Sequence, residues 1–253
     1  KTGEKIKSLS GTADVIKYTF GYVDDPEDTG NRPGIYIEFK EPWLNPTGFE
    51  EMVYKELDRL GMNIITQPEP ESNPFYVNGK VNTGNTNGKV ILQTFSLESL
   101  VRVAEHFEGK VPMCFLLWKG TGATDITYDD PLGYASFINL GVKYKAHFIG
   151  PCIAGAPNNY PELNQPWQDY LIHKAGMKNH PYTFDTYDQM AKYFGQYNFG
   201  VEIDGKYKAP YLDALFTNHS DMSINYMITQ GWRKSPASET LVDAKVVLER
   251  LGY

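Results

Sequence analysis

The chain has 253 residues, 41% of them hydrophobic, with a formal net charge of −7. That length can bury one sizeable core, which makes a single domain over 1–253 the expectation. Its 24 Lys and Arg are scattered among 31 Asp and Glu, which excludes the clustered basic surface that nucleic acid requires, and its longest apolar run, Met113 to Trp118, falls far short of the roughly 20 residues that cross a bilayer.

Val15, Ile16 and Phe20, with Val23 just beyond, have helical spacing and predict an amphipathic helix over Ala13 to Tyr22. The acidic turn Asp24 to Gly30 separates it from a strand, Gly34 to Lys40. Side chains alternate along a strand, so Glu38 and Lys40 share one face while Ile35, Ile37 and Phe39 take the other. A carboxylate and an ammonium two apart at a strand end are either a surface ion pair or part of a site. A helix over Phe49 to Leu60 follows, with Met52, Val53, Leu57 and Leu60 on one face and Gly61 as its stop. The polar stretch Gln67 to Lys89 reads as a lid or a surface hairpin, and Asn78-Gly79 favours the hairpin.

Beyond it the pattern becomes regular. A strand Val90 to Phe95 leads to a helix Leu97 to Phe107, then a strand Val111 to Trp118, a loop Lys119 to Gly133 and a helix Tyr134 to Leu140. A strand His147 to Ile153, a helix Trp167 to Ala175, a strand Pro181 to Phe184 and a helix Thr186 to Phe194 continue it. Leu212 to Thr217 is the last strand, with Met222 to Ile228 and a terminal helix Glu239 to Leu251 after it. Alternating apolar strands and helices predict a parallel sheet covered by helices, and about 250 residues suits an α/β TIM-type (β/α)8 barrel. Only about six strands are found from Ile35 onward where closure needs eight. Either an unseen amino-terminal part supplies the rest, or Lys1 to Ser10 and the loop hairpin cover the edges, or a second chain closes the barrel. Cys114 and Cys152 fall within apolar strands and are expected buried and free.

Four blocks, in order, carry a further resemblance: Gly34 to Trp43, Gln93-Thr94-Phe95, His180-Pro181-Tyr182-Thr183 and Ala214 to Asp221. Together they resemble the periplasmic-type glycerophosphodiester phosphodiesterases over about residues 33–227. The resemblance implies metal-dependent hydrolysis of a small-molecule phosphodiester to glycerol 3-phosphate and an alcohol, within lipid metabolism. Glu38 would be a ligand to a divalent cation, Ca2+ or Mg2+, and Lys40 would neutralise a phosphate oxygen. Gln93 and Tyr182 would line the substrate pocket. The chain departs from the pattern, since none of His106, His147, His173, His180 and His219 is followed by Arg-Gly or by Asp, and no Glu-x-Asp pair precedes the Glu38 strand. No catalytic residue is therefore assigned, and an inactive member serving as a binding or structural protein is the alternative. His180 reads as a structural histidine at a strand start, and the sequon at Asn218 as chance. The resemblance, an aromatic content of 14% and the lack of an initiator Met lead to the expectation of a secreted or periplasmic protein.

Overall fold

The structure is a computed structural model that describes residues 35–40, 42, 48–68, 76–77, 80–81, 90–120, 126–196, 201–203, 207–209 and 212–231. The helices expected over Ala13 to Tyr22 and Glu239 to Leu251 lie outside the described residues. The fold is of the α/β TIM type. Its strands β1 (Ile35–Glu38), β4 (Val90–Thr94), β5 (Met113–Leu117), β6 (Phe148–Pro151) and β7 (Lys178–Asn179) form one sheet in that order, with every pair parallel. A sheet whose spatial order follows chain order is singly wound, as in a (β/α) barrel, whereas a doubly wound sheet reverses direction at a switch point. Between β1 and β4 in the chain sits a separate antiparallel pair, β2 (Tyr76–Val77) and β3 (Lys80–Val81), in the stretch where the sequence predicts a hairpin. A second small pair, β8 (Val201–Ile203) and β9 (Tyr207–Ala209), follows β7.

The row of strands curls. Four spacings of about 4.8 Å would put β1 and β7 roughly 19 Å apart in a flat sheet. Instead the Tyr36 hydroxyl lies 3.0 Å from Nδ1 of His180, and the Tyr36 ring meets Phe216 edge-on at 4.8 Å. The concave face carries Ile91, Cys114, Leu116 and Phe148, with Tyr36, Tyr182 and Phe216 against them. The convex face carries Ile35, Leu92, Met113, Phe115 and Ile149 and packs on the helices. These are α1 (Phe49–Arg59), α2 (Leu97–Phe107), α3 (Pro131–Lys143) and α4 (Pro166–Lys174), which bury Leu57, Leu100, Phe107, Phe137 and Ile172. Ser96 caps α2 through the Ser99 N–H, and Asp130 caps α3 through that of Gly133, so α3 starts three residues before the apolar pattern does. Cys114 and Cys152 are free and buried.

The expected strand Pro181 to Phe184 is reduced to a single bridge from Tyr182 to Cys152, and regular pairing sits earlier, at Lys178–Asn179. Leu212 to Thr217 forms no ladder, but Phe216 N–H donates to Pro181 O at 2.9 Å and Phe184 N–H to Phe216 O at 2.8 Å, which lays this segment beside the β7 extension. The expected helix from Thr186 splits into α5 (Tyr187–Met190) and a π-helical stretch Ala191–Gln196. A further helix, α6 (Ser220–Thr229), follows the Leu212 to Thr217 segment.

Two buried charge clusters hold the outer layer. Glu50 of α1 is fully buried, accepting from Ser99 Oγ at 2.7 Å and from Arg102 at 2.8 and 3.0 Å, which ties α1 to α2. Burial would raise the Glu50 carboxyl, but the Arg102 guanidinium and the Ser99 hydroxyl outweigh it and hold it below the usual range. On α4, His173 Nε2 lies 2.7 Å from Asp213 Oδ2 and its Nδ1 lies 3.1 Å from Asp169 Oδ1. Asn179 donates its side-chain amide to Asp169 and its backbone N–H to Asp213. Burial opposes the charge on His173, yet the two carboxylates outweigh it and raise it to about 9. Asp213, which also receives the Asn179 N–H and faces Lys178, is held low, while desolvation pushes the deeper Asp169 up.

Since the folded pKa of His173 exceeds the unfolded value near 6.5, its contribution is complete below about pH 6.5 and is lost as pH rises through about 9. Burial depresses His147 to about 4 and His180 to about 3, so their contribution is present above about 6.5 and is lost as pH falls towards those values. A plot of Tm against pH should therefore peak near neutrality. His173→Gln should remove the decline between about pH 6.5 and 9 and cost about 3–5 kcal/mol in urea unfolding, because it leaves buried carboxylates unpaired.

Candidate functional site

The parallel register sets Glu38 beside Gln93 and Gln93 beside Cys114, so all three side chains lie on the concave face. Phe39 N–H donates to Gln93 O at 2.8 Å, and Thr94 Oγ1 donates to Phe39 O at 3.2 Å, which pins the end of β1 to the end of β4. Above them opens a cavity of about 240 Å3. Its polar lining is Glu38, Gln93, Thr183, Thr217 and Asn218, and its walls are Phe95, Leu116, Tyr182 and Phe216. β1, β4 and β5 contribute Glu38, Gln93 and Leu116 from or near their carboxyl ends, and Tyr182 and Thr183 follow β7, which is the face on which barrels of this class carry their sites.

Of the four residues singled out from the sequence, Glu38, Gln93 and Tyr182 meet in this cavity. Lys40 lies exposed two residues past Glu38, and the described lining does not include it. Tyr182 donates its hydroxyl to Leu117 O at 3.0 Å and packs edge-on against Phe95 at 5.7 Å. Burial raises its phenol far above the usual range, so Tyr182 is a wall and a donor, not an acid or base. Gln93 sends its Nε2 towards Tyr36 O at 3.5 Å. Phe95, Thr183, Phe216 and Thr217 escaped the sequence reading. The alternation that singled out Glu38 also marks Phe95, two residues past Gln93, but the irregular backbone at Thr183 and Thr217 gives no such signal.

Among the described residues no histidine, cysteine or lysine lines the cavity. His180 lies beneath its floor, 2% exposed and stacked on Phe148 at 4.0 Å, and burial keeps it neutral. His219 is exposed at the start of α6. His147 accepts the Met113 N–H at 3.1 Å. Among the described residues no group of three or more His, Cys, Asp or Glu is placed to hold a metal ion. Among the described residues the oxygen donors of the cavity, apart from the Tyr182 phenol, are one carboxylate, two amides and two hydroxyls, a hard set that suits Ca2+ or Mg2+ with a ligand or water completing the shell. Among the described residues no helix is long and apolar enough to cross a membrane.

No protein-family model matches the sequence, and no curated protein matches it. Two similar solved structures are 2,3-dimethylmalate lyase, a PEP mutase/isocitrate lyase superfamily member, and oxaloacetate acetylhydrolase with 3,3-difluorooxalacetate. The first is 12% identical, over 67% of this chain and 69% of that one, with a TM-score of 0.32. The second is 9% identical, over 94% of each chain, with a TM-score of 0.30. Likeness at this level says nothing about chemistry.

The resemblance to glycerophosphodiester phosphodiesterases is overturned, because no family model and no curated protein of that kind matches the sequence. Hydrolysis to glycerol 3-phosphate, a place in lipid metabolism and an inactive member of the family fall with the resemblance. The physical reason is that each block is short: the first two lie on β1 and β4 and are what a parallel barrel strand requires, an apolar run with a polar residue near its carboxyl end, and the last two form no ladder.

The floor of the cavity depends on Gly150. A Cβ there would sit 2.6 Å from Leu116 Cδ2, 2.9 Å from Cys114 Sγ and 3.1 Å from His180 O. Gly150→Ala should cost about 1–3 kcal/mol by overpacking, read as a lower denaturation midpoint with an unchanged m-value.

Proposed function

We propose that the cavity binds a small oxygen-rich molecule through a hard divalent cation, Ca2+ or Mg2+, anchored on Glu38. The observation that carries this reading is the composition of the lining, where one carboxylate faces amide and hydroxyl oxygens between aromatic walls. Apart from the Tyr182 phenol, Glu38 is the one ionisable group of the described lining. An anionic ligand enters such a site with a cation to bridge it, and a neutral polyol enters by offering hydroxyls to the same acceptors. The volume, below the roughly 300–1,000 Å3 of drug-sized sites, suits a small metabolite.

When bound, the cation would supply charge neutralisation and polarisation of a ligand oxygen. The chain's own residues have separate tasks. Glu38 anchors the cation, and Gln93 and Asn218 orient the ligand through their amides. The Thr183 and Thr217 hydroxyls meet its polar edge. Phe95, Tyr182 and Phe216 cover its apolar face and keep water out. In this reading Lys40 meets only a ligand that extends past the rim. Binding is the activity that the lining supports best, because a reaction that needs both an acid and a base finds one such group among the described lining residues.

Calorimetric titration of the purified chain with Ca2+ and with Mg2+ should show one saturable site. Glu38→Gln should weaken it by roughly a hundredfold or more with an unchanged far-UV spectrum. Equal affinity in both proteins would overturn the reading.

A further inference from the structure

Asn218 lines the cavity, and its amide is not left to choose its own orientation. Its Nδ2 donates to Asp185 Oδ2 at 3.0 Å, and its backbone N–H donates to Asp185 Oδ1 at 2.9 Å. An ionised carboxylate only accepts, so the amide nitrogen must face Asp185 and the carbonyl oxygen must turn away from it. Asp185 is itself held. Its N–H donates to Oε1 of Gln189 at 2.7 Å, and Gln189 is 4% exposed and completes the capping box of Thr186 at the start of α5. The bond from Phe184 N–H to Phe216 O at 2.8 Å lays the two segments side by side, with Asp185 opposite Asn218.

We infer that Asp185 is a positioning residue: it clamps the Asn218 amide so that only its carbonyl oxygen is offered to the ligand cavity. This rests on the cation reading above and deepens it. Asn218 is exposed, so without the clamp its amide would turn over at little cost and present an NH2 group, which repels a cation. The Gln93 Nε2 also has a protein acceptor, the Tyr36 carbonyl oxygen at 3.5 Å. An Asn218 amide with its donor tied to Asp185 and its oxygen free for the cavity makes a mixed polar lining richer in acceptors. That polarity selects a cation over an anion.

Two readouts test the inference. In 15N-labelled protein without any cation, one Asn218 Nδ2 proton, assigned by its loss in Asn218→Ala, should be shifted downfield and slow to exchange. Asp185→Ala should return it to the position of a solvent-exposed amide. In Ca2+ titrations Asp185→Ala should weaken affinity by about ten- to a hundredfold, as loss of an outer-shell partner does, with Tm unchanged. Asn218→Ala should do the same, and adding Asp185→Ala to Asn218→Ala should cost nothing more, because Asp185 acts through Asn218. An unshifted Asn218 amide in the wild type, or an Asp185→Ala effect that persists in full in the Asn218→Ala background, would overturn the inference. Wild-type protein that binds no Ca2+ or Mg2+ would sink the cation reading, and the role given to Asp185 with it. Full affinity in Asp185→Ala would sink the positioning role alone.

Discussion

The contact between the Tyr36 hydroxyl and His180 Nδ1 is the interaction on which the rest of the structure depends. It joins the first strand of the sheet to the extension of the last, and it can form only if the sheet curls by most of the distance that a flat arrangement would leave open. The histidine is in turn stacked on Phe148, and Tyr36 is braced by Phe216. Inside so dry an interior a hydroxyl and an imidazole must find each other, because an unmet polar group there costs about 1–3 kcal/mol. Gly150 gives the room for this closure, since the β5 side chains and the His180 backbone crowd the place where its Cβ would be. The same curl carries Phe216, Thr217 and Asn218 over to Glu38 and Gln93, and so the cavity is a consequence of the way the interior closes.

The outer layer follows a different logic. Glu50 with Arg102 and His173 with Asp169 and Asp213 are charges taken out of water, and desolvation offsets much of their attraction. Their main effect is placement. The first fixes the angle between α1 and α2, and the second fixes Asp213, from which the chain runs through Leu215 and Phe216 to Asn218. Asn179 links the second cluster to the sheet, giving its backbone N–H to Asp213 and its side chain to Asp169 and Asn164. The position of the mouth residue Asn218 is thus set from both ends of its segment, by His173 and Asp213 at the base and by Asp185 at the rim.

Much of the fold was legible because its signals are local. The Leu97 to Phe107 helix could be read to the residue from its apolar spacing, its Ser96 cap and the glycine beyond it, and Asn78-Gly79 marked its hairpin. Asp204-Gly205 is the same kind of signal between β8 and β9, and it was passed over. The Pro181 to Phe184 and Leu212 to Thr217 segments misled because they are apolar and extended but bond to each other at only a few points, so long-range pairing, not propensity, decides their class. At the site, alternation placed Glu38 and Gln93 on the concave face, and the Tyr182 ring fell where a strand end would put it. Asp185 could not have been found this way. Its role depends on a contact with a residue 33 positions along the chain, and no spacing rule encodes that. The family resemblance failed for the complementary reason, since barrel strands share their ends across unrelated chemistries.

The central claim, that the cavity is a cation site anchored on Glu38, is tested most directly by long-wavelength anomalous diffraction from crystals grown in Ca2+. The account predicts one dominant peak within about 2.3–2.6 Å of the Glu38 carboxylate, with the Gln93 and Asn218 carbonyl oxygens turned towards it. A dominant peak on surface carboxylates, with only solvent beside Glu38 at saturating Ca2+, would contradict it.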